Sequence, residues 1–376
     1  MSSKTKHISK KVCFFANDGW SIFNYRLGLI NHLKSKGYSI YLICPKDKYT
    51  EKLEELGFSH NDVTLRHKSQ NFLYDLIYLA SIFFLLKRIK PDIGLTFNLK
   101  PNIFASIVLR VLSIPTISNI TGLGTFMERS LTRIVVFTLL KLSIKNNYCT
   151  FFQNTLDKDL FLRRKIINKS KSELIPGSGI DLNSFKYVEK SCSLKTNFLF
   201  ISRISKNKGI EHVINAAKYF YDKNKDINFY ICGHIEEKKY SVKMFNDLSK
   251  KFNIYYLGFK EDVREEYVKC DCVIFPSEYF EGTPKALIET GATGRLAIAS
   301  DLRGCNEIIR HKINGFLFNP SIQESFFDSI NAFMSLTRED RLKMELDARK
   351  IVEKKYDERI IFKKYLSKIE GLGGKI

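Results

Sequence analysis

No stretch of this sequence is long and apolar enough to read as a membrane span. The longest uncharged apolar run, Leu76–Leu86, is well short of the roughly 18–20 residues that a spanning helix needs. The start, Met1–Lys11, is polar and basic, and no long apolar region follows it, so it does not read as a signal peptide. Paired cysteines are also missing. The eight Cys, at 13, 44, 149, 192, 232, 270, 272 and 305, are scattered and mostly lie inside apolar runs. There is no CxxC pair, and Cys270-Asp271-Cys272 has no second ligand cluster, which argues against a zinc site. Reduced, buried thiols in a cytoplasmic protein are the expectation. No Asp-x-Asp pair stands at a strand end, and no RRM, KH, zinc-knuckle or helix-turn-helix signature is visible. No bound metal or other cofactor is expected.

Negative charge is in short supply as well. Lys and Arg number 61 against 40 Asp and Glu, a formal balance of +21. Residues 1–190 hold 29 basic and 14 acidic side chains, while 191–376 hold 32 and 26, so the excess falls mainly on the first half. Such asymmetry suits a polyanionic partner, nucleic acid or an anionic membrane surface. A coding bias toward Lys, Asn, Ile and Phe would give the same count. The cations lie among buried-strand patterns, not in a basic arm, which speaks against nucleic acid.

What is present is ordinary for globular domains. A hydrophobic fraction of 44% is too high for a disordered chain, and 376 residues allow two or three domains. Apolar runs at Val12–Phe15, Ser39–Cys44, Ile93–Phe97, Thr116–Asn119 and Thr150–Phe152 read as buried strands. Helix-period stretches lie between them at Arg26–Lys36, Tyr49–Leu56, Leu73–Ile89, Ile103–Leu112 and Leu131–Ile144. The pattern pauses from Pro176 to Lys195, a candidate interdomain connection, and restarts with strand Phe198–Ser202 and helix Ile210–Tyr221. Later strands are expected at Asn228–Cys232, Ile254–Leu257, Asp271–Phe275 and Leu296–Ala299, and helices at Val242–Lys251, Pro284–Ala292, Ser325–Met334, Arg338–Lys355 and Glu358–Glu370. Strand–helix alternation in both halves predicts an α/β fold of two doubly wound parallel sheets, with the cleft between them as the default active site.

Two segments of the second half carry recognisable chemistry. In Ser277-Glu278-Tyr279-Phe280-Glu281-Gly282-Thr283-Pro284, a strand exits into a loop, and Thr283-Pro284 is expected to cap the next helix with proline first. The free N–H groups of that helix suit a diphosphate, and Gly282 allows close approach. Glu281 and Glu289 are carboxylates able to accept two hydroxyls each, one from a sugar and one from a ribose diol. A loop glutamate and a solvated helix glutamate are the competing account. In Phe200–Ile210, Arg203 follows a strand and Lys208-Gly209 opens a helix, so two fixed cations sit where they would stabilise a leaving diphosphate. A basic surface loop fits the same residues.

Together these residues resemble family 4 of the retaining, nucleotide-sugar-dependent glycosyltransferases, over essentially the whole chain. Arg203 and Lys208 match its Arg–Lys pair on the donor diphosphate, and Glu281 and Glu289 match its E-x7-E motif. Asp301, Gly304 and Glu307 fit the stretch after the following strand, and Asn314-Gly315-Phe316 fits a common turn. The resemblance implies the GT-B fold, with a 1–180 acceptor-binding domain, a 181–355 donor-binding domain and a 356–376 helix packing back on the first. It also implies catalysis by Arg203, Lys208 and Glu281 without metal, and donor contacts from Glu289, Gly282, Thr283, Pro284 and Gly19.

Asn24-Tyr25-Arg26, Lys100-Pro101-Asn102, Asn119–Gly124 and Ile175–Gly179 look like a bacterial subgroup that extends undecaprenyl-diphosphate-linked glycans for O-antigen, capsule or protein glycosylation. That subgroup implies transfer of a HexNAc or galactose from a UDP-sugar. Lys100, Asn102, Thr121 and Gly122 would then meet the acceptor, although each fits ordinary turn chemistry too. One departure is plain: Thr96–Lys100 lacks the His that many members place there, so no catalytic histidine is assigned. His60 and His67 are expected at the surface. Leu73–Lys90 and Leu131–Lys145, apolar and ending in cations, fit either core helices or interfacial helices at the inner face of the cell membrane. A sugar-nucleotide epimerase of the same fold is the main rival function, and a nucleic-acid-binding protein a weaker one.

Overall fold

The computed structural model describes residues 9–66, 72–122, 130–190, 195–223 and 226–372. His67, Gly124, Arg129 and Cys192 lie outside the described residues. The chain forms two compact units, Met1–Ser178 with Glu358–Ile376, and Gly179–Asp357.

The first unit is built on seven parallel strands: β1 (Lys11–Phe15), β2 (Ser39–Ile43), β3 (Ser59–Asn61), β4 (Ile93–Phe97), β5 (Thr116–Ile120), β6 (Cys149–Phe152) and β7 (Ser172–Leu174). Their order is β3-β2-β1-β4-β5-β6-β7. Helices α1 (Gly19–Ser35), α2 (Lys48–Glu55), α3 (Phe72–Ile89), α4 (Leu99–Val111), α5 (Ser130–Ile144) and α6 (Thr155–Arg163) make the crossovers. The central strands β1, β4, β5 and β6 are buried on both faces, which is why they read as unbroken apolar runs. α1 starts at Gly19, a turn and more before the first residue expected from periodicity, because the Asp18 carboxylate accepts from the Ser21 amide at 2.7 Å. β3 and β7 are short and polar, so alternation does not reveal them. His60, expected at the surface, is in β3 with its imidazole 4% exposed, its Nε2 2.9 Å from the Cys44 carbonyl oxygen.

The second unit has six parallel strands: β8 (Thr196–Ile201), β9 (Ile227–Cys232), β10 (Ile254–Gly258), β11 (Cys272–Phe275), β12 (Leu296–Ser300) and β13 (Gly315–Phe318). Helices α7 (Ile210–Asp222), α8 (Val242–Ser249), α9 (Arg264–Lys269), α10 (Lys285–Ala292), α11 (Gln323–Met334) and α12 (Arg338–Lys355) flank them. The order β10-β9-β8-β11-β12-β13 reverses direction between β8 and β11. The stretch expected to be a connection is partly structured: Leu182 and Phe185 pack on the core formed by Leu287, Ile288 and Val352, and Ile180 bridges Asp357.

α13 (Glu358–Gly371) returns to the first unit. Its Ile361, Phe362, Tyr365 and Ile369 are buried in the core shared with β1, β4 and α1. Tyr365 lies 4.7 Å from the Phe151 ring, and Phe362 stacks on His32 at 5.2 Å. Burying side chains of this size contributes about 1.5–3 kcal/mol each.

Candidate functional site

Ligands of parallel sheets gather outside the carboxyl ends of the strands where the order reverses. In the second unit that point lies between β8 and β11, and the loops leaving these strands carry most of the residues singled out above.

Lys208 ends a single 3-10 turn, Lys206–Lys208, and Gly209 follows in the left-handed conformation (φ 77°). A Cβ on Gly209 would lie 1.8 Å from the Pro276 carbonyl oxygen, so only glycine lets this turn rest on the chain leaving β11. The Glu278 amide then donates to the Asn207 carbonyl at 2.9 Å. Between the two loops, Lys208 Nζ pairs with Glu281 Oε1 at 2.6 Å, and Ser277 Oγ donates to the same oxygen at 2.9 Å. The Lys208 and Glu281 side chains are 10% and 12% exposed. Burial alone would lower the Lys208 pKa, but the charge of Glu281, with Tyr279 beside it, prevails and holds it above the ordinary value.

Arg203 stands at the outer side of this cluster. Its guanidinium donates to both Glu236 oxygens at 2.6 and 2.7 Å and to the Tyr279 hydroxyl at 3.3 Å. Lys208 Nζ lies 4.6 Å from the Tyr279 ring centre, so the two cations flank one aromatic side chain. Glu281 and Gly282 are braced from behind. A Cβ on Gly304 (φ 89°) would lie 2.7 Å from both of their carbonyl oxygens, and the Glu281 amide donates to the Arg303 carbonyl.

Glu289 is not a solvated helix residue: only 8% of it is exposed. The buried Tyr267 hydroxyl donates to its Oε2 at 2.8 Å, and Lys285 Nζ is 3.7 Å from Oε1. Burial raises its carboxyl above the usual range, against the opposing pull of Lys285 and Tyr267. Tyr267 is held in turn by the buried Arg295, which donates to the Tyr267, Val268 and Val188 carbonyls. Neither Tyr267 nor Arg295 stands out in the sequence, because a Tyr in a helix and an Arg before a strand have no special spacing.

The expected cap of the helix after Gly282 needs correction. Pro284, not Thr283, occupies the cap position, with extended ψ (111°) and no side-chain acceptor, and the helix begins at Lys285. Proline fixes φ but leaves ψ free, so its ring can stand just outside a helix as well as at its first turn. The N–H groups at this helix start therefore have no cap from the residue before them.

In the first unit the expected site residues have other partners. Gly19 is required by packing: a Cβ there would come within 2.3 Å of Asp47 Oδ1 and 2.6 Å of Thr50 Cγ2, where Asp47 caps α2. Lys100 pairs with Asp75 at 2.6 Å and donates to the Arg66 carbonyl. Asn102, 1% exposed, accepts from Thr96 at 2.7 Å and donates to the Asn119 carbonyl at 2.9 Å. Both sides of its amide are engaged within the fold, as expected of a buried polar group. Thr121 and Gly122 (φ 142°) follow β5 and are part-exposed.

Among the described residues, no group of three or more His, Cys, Asp or Glu is placed to hold a metal ion. The seven described cysteines are buried and unbridged.

Known proteins resemble the chain in sequence and in fold. The family described as "Glycosyl transferases group 1" matches residues 189–351, and that described as "Glycosyl transferase 4-like" matches 11–154. The N,N'-diacetylbacillosaminyl-diphospho-undecaprenol alpha-1,3-N-acetylgalactosaminyltransferase of Campylobacter jejuni is 27% identical over 378 residues, 95% of this chain and 97% of the relative. The UDP-Gal:alpha-D-GlcNAc-diphosphoundecaprenol alpha-1,3-galactosyltransferase of Escherichia coli is 28% identical over 81% of each chain. Among solved structures, Anabaena HepE in complex with UDP and glucose superposes with a TM-score of 0.79 at 17% identity, covering 96% of this chain and all (100%) of that one. A glycosyltransferase of Rickettsia africae gives 0.77 at 18%, over 97% and 99%. The fold is GT-B.

Proposed function

Since the chain belongs to the glycosyltransferases, with a group 1 domain following a 4-like domain, we propose that it transfers N-acetylgalactosamine or galactose from a UDP-sugar to a hydroxyl of an undecaprenyl-diphosphate-linked glycan. The observation that carries the donor half is the braced Lys208–Glu281 pair beside Tyr279 and Arg203 at the reversal of the second sheet. Arg203, Lys208 and the start of α10 stabilise the departing nucleotide diphosphate as its negative charge grows. Glu281 orients the donor sugar, and Glu289, held by Tyr267, accepts from the ribose diol. Gly282 and Thr283 supply the backbone between these two carboxylates. A leaving phosphate oxygen takes the acceptor proton, and attack on the same face retains the anomeric configuration. The alpha linkages named for both relatives support retention, because UDP-sugars of these types are themselves alpha-linked. The epimerase alternative gains no support from these relatives.

The acceptor half rests on the same relatives and on the surface of the first unit. α4 packs between α3 and α5. Tyr78, Ile82 and Leu86 of α3 are buried beneath, while Leu73, Ile77 and Phe84 are exposed, Phe84 by 70%. On α5, Ile134, Val135 and Leu142 are exposed. The only acid on these two helices is Asp75, which is paired to Lys100, while Lys87, Arg88, Arg133 and Lys141 are cations. This combination of aliphatic face and unopposed cations supports docking at an anionic bilayer surface. No described helix is long and apolar enough to cross a membrane. Such docking would put the enzyme at the cytoplasmic leaflet with its lipid-linked acceptor.

The test incubates labelled UDP-sugars with and without short polyprenyl-diphosphate glycans and reads products by mass spectrometry. A lipid-linked product of one added sugar is expected. Epimerised UDP-sugar formed without acceptor defeats the proposal.

A further inference from the structure

Arg26 is 5% exposed, yet no role found above uses it. Its guanidinium lies 4.2 Å over the ring of Phe97, the last residue of β4, and no Asp or Glu among the described residues pairs with it. The titratable groups that bear on it are the neutral hydroxyls of Tyr365 and Tyr25; burial is the larger influence and lowers its pKa. By contrast, the buried Arg295 and the part-buried Arg341 are both satisfied. Arg295 gives its N–H groups to three carbonyls, and Arg341 pairs with Asp271 and Glu345. A buried cation without a counter-ion is costly, and a fold keeps one where a ligand supplies the charge.

The surroundings fit an anion. Asn119 Nδ2 donates to the Tyr365 hydroxyl at 2.8 Å, and Gln153 Nε2 lies 3.5 Å from Asn119 Oδ1. Asn98, next to Phe97, has φ 67° and ψ 165°, a region otherwise reserved for glycine, and strain of this kind concentrates at functional sites. Its side chain does not cap α4 but accepts from the Asn17 amide at 3.2 Å. Phe97, Asn98 and Asn17 stand at the carboxyl ends of β4 and β1, where the order of the first sheet reverses, with Asn119 of β5 and Gln153 after β6 further along the same edge.

We propose that Arg26 binds a phosphoryl group of a substrate at this edge of the first unit. The planar guanidinium fork matches phosphoryl oxygens two at a time. The choice of ligand rests on the transferase proposal and leaves two sources, the nucleotide diphosphate of the donor and the lipid-linked diphosphate of the acceptor.

The experiment measures equilibrium binding of UDP and of a detergent-solubilised short-chain polyprenyl diphosphate by calorimetry. It uses the full chain as wild type, Arg26→Met and Arg26→Lys. The Met variant should bind one ligand at least tenfold more weakly and the other unchanged, and Lys should recover part of the loss; the ligand affected identifies the source. Both dissociation constants within twofold of wild type in a folded Met variant, with an equal or higher melting temperature, overturn the proposal and leave Arg26 a packing residue. Should Met fail to fold, Lys decides: a severalfold weakening for one ligand supports the proposal, and none overturns it. Because binding is read without turnover, failure of the transferase proposal shows separately, as absence of any sugar transfer by wild type.

Discussion

Replacing Lys208 by Met separates stability from chemistry at one residue. The side chain keeps its length and apolar stem but loses the ammonium, leaving Glu281 with Ser277 Oγ and its own charge. Breaking a fully buried ion pair from one side costs about 3–5 kcal/mol. Here a tenth or so of each side chain reaches water and Ser277 remains, so the cost should be nearer ~2 kcal/mol. For a unit of this size that lowers the melting temperature by about 4–8 °C. Activity should fall much further, because a donor aimed at charge that develops only in the transition state is worth about 10²–10³ in kcat. Glu281→Gln in the same background should restore most of the melting temperature, since no unpaired carboxylate remains, and restore no activity. The assay is thermal unfolding beside initial rates of transfer at saturating UDP-sugar. If Lys208→Met turned over within threefold of wild type, the leaving-group role would be wrong. If it melted unchanged, the pair would not hold the two loops together.

Burial raises the Glu289 carboxyl, so on acidification it takes up a proton before ordinary carboxylates do and becomes a poorer acceptor. The donor KM should therefore rise as pH falls, beginning above the usual carboxylate range, whereas Glu289→Gln should show a high KM without that acid limb; identical pH profiles would exclude the assignment. Asn102→Ala should destabilise the first unit by about 1–3 kcal/mol in denaturant unfolding, by taking the side-chain donor from the Asn119 carbonyl and leaving Thr96 with Ser118 alone, yet leave the acceptor KM unaltered. Phe84→Glu should reduce co-sedimentation with anionic vesicles. Neutralising Lys87 and Arg88 should weaken it about fivefold per charge, at roughly 1 kcal/mol each. Equal partitioning of wild type to neutral and anionic vesicles would remove the electrostatic part.

Local features of the chain were enough for much of the architecture. The strand–helix alternation, the two parallel sheets and the spacing of Glu281 and Glu289 follow from short-range pattern, because a doubly buried strand must be continuously apolar and a crossover helix must be periodic. Short polar edge strands such as β3 and β7 escaped it, since their stability comes from the neighbour they pair with. The start of α1 escaped for a similar reason: hydrogen bonds to the Asp18 and Asp47 carboxylates decide it, not the run of apolar residues.

The site divides along the same line. Residue type alone pointed to two cations and two carboxylates in the second half. It did not separate the solvated from the buried, or the ligand from the brace. Lys208 meets Glu281 across 73 residues of sequence, Asn102 is consumed by Asn119, and Glu289 is gripped by Tyr267. Arg26, one residue of a short motif in the sequence, stands out as a buried cation only because no carboxylate among the described residues pairs with it. Chemistry of this kind depends on distance and on exclusion of water, and both belong to the folded chain: the sequence by itself determined which groups are available and in what order, and the tertiary structure alone decided which of them are left to act.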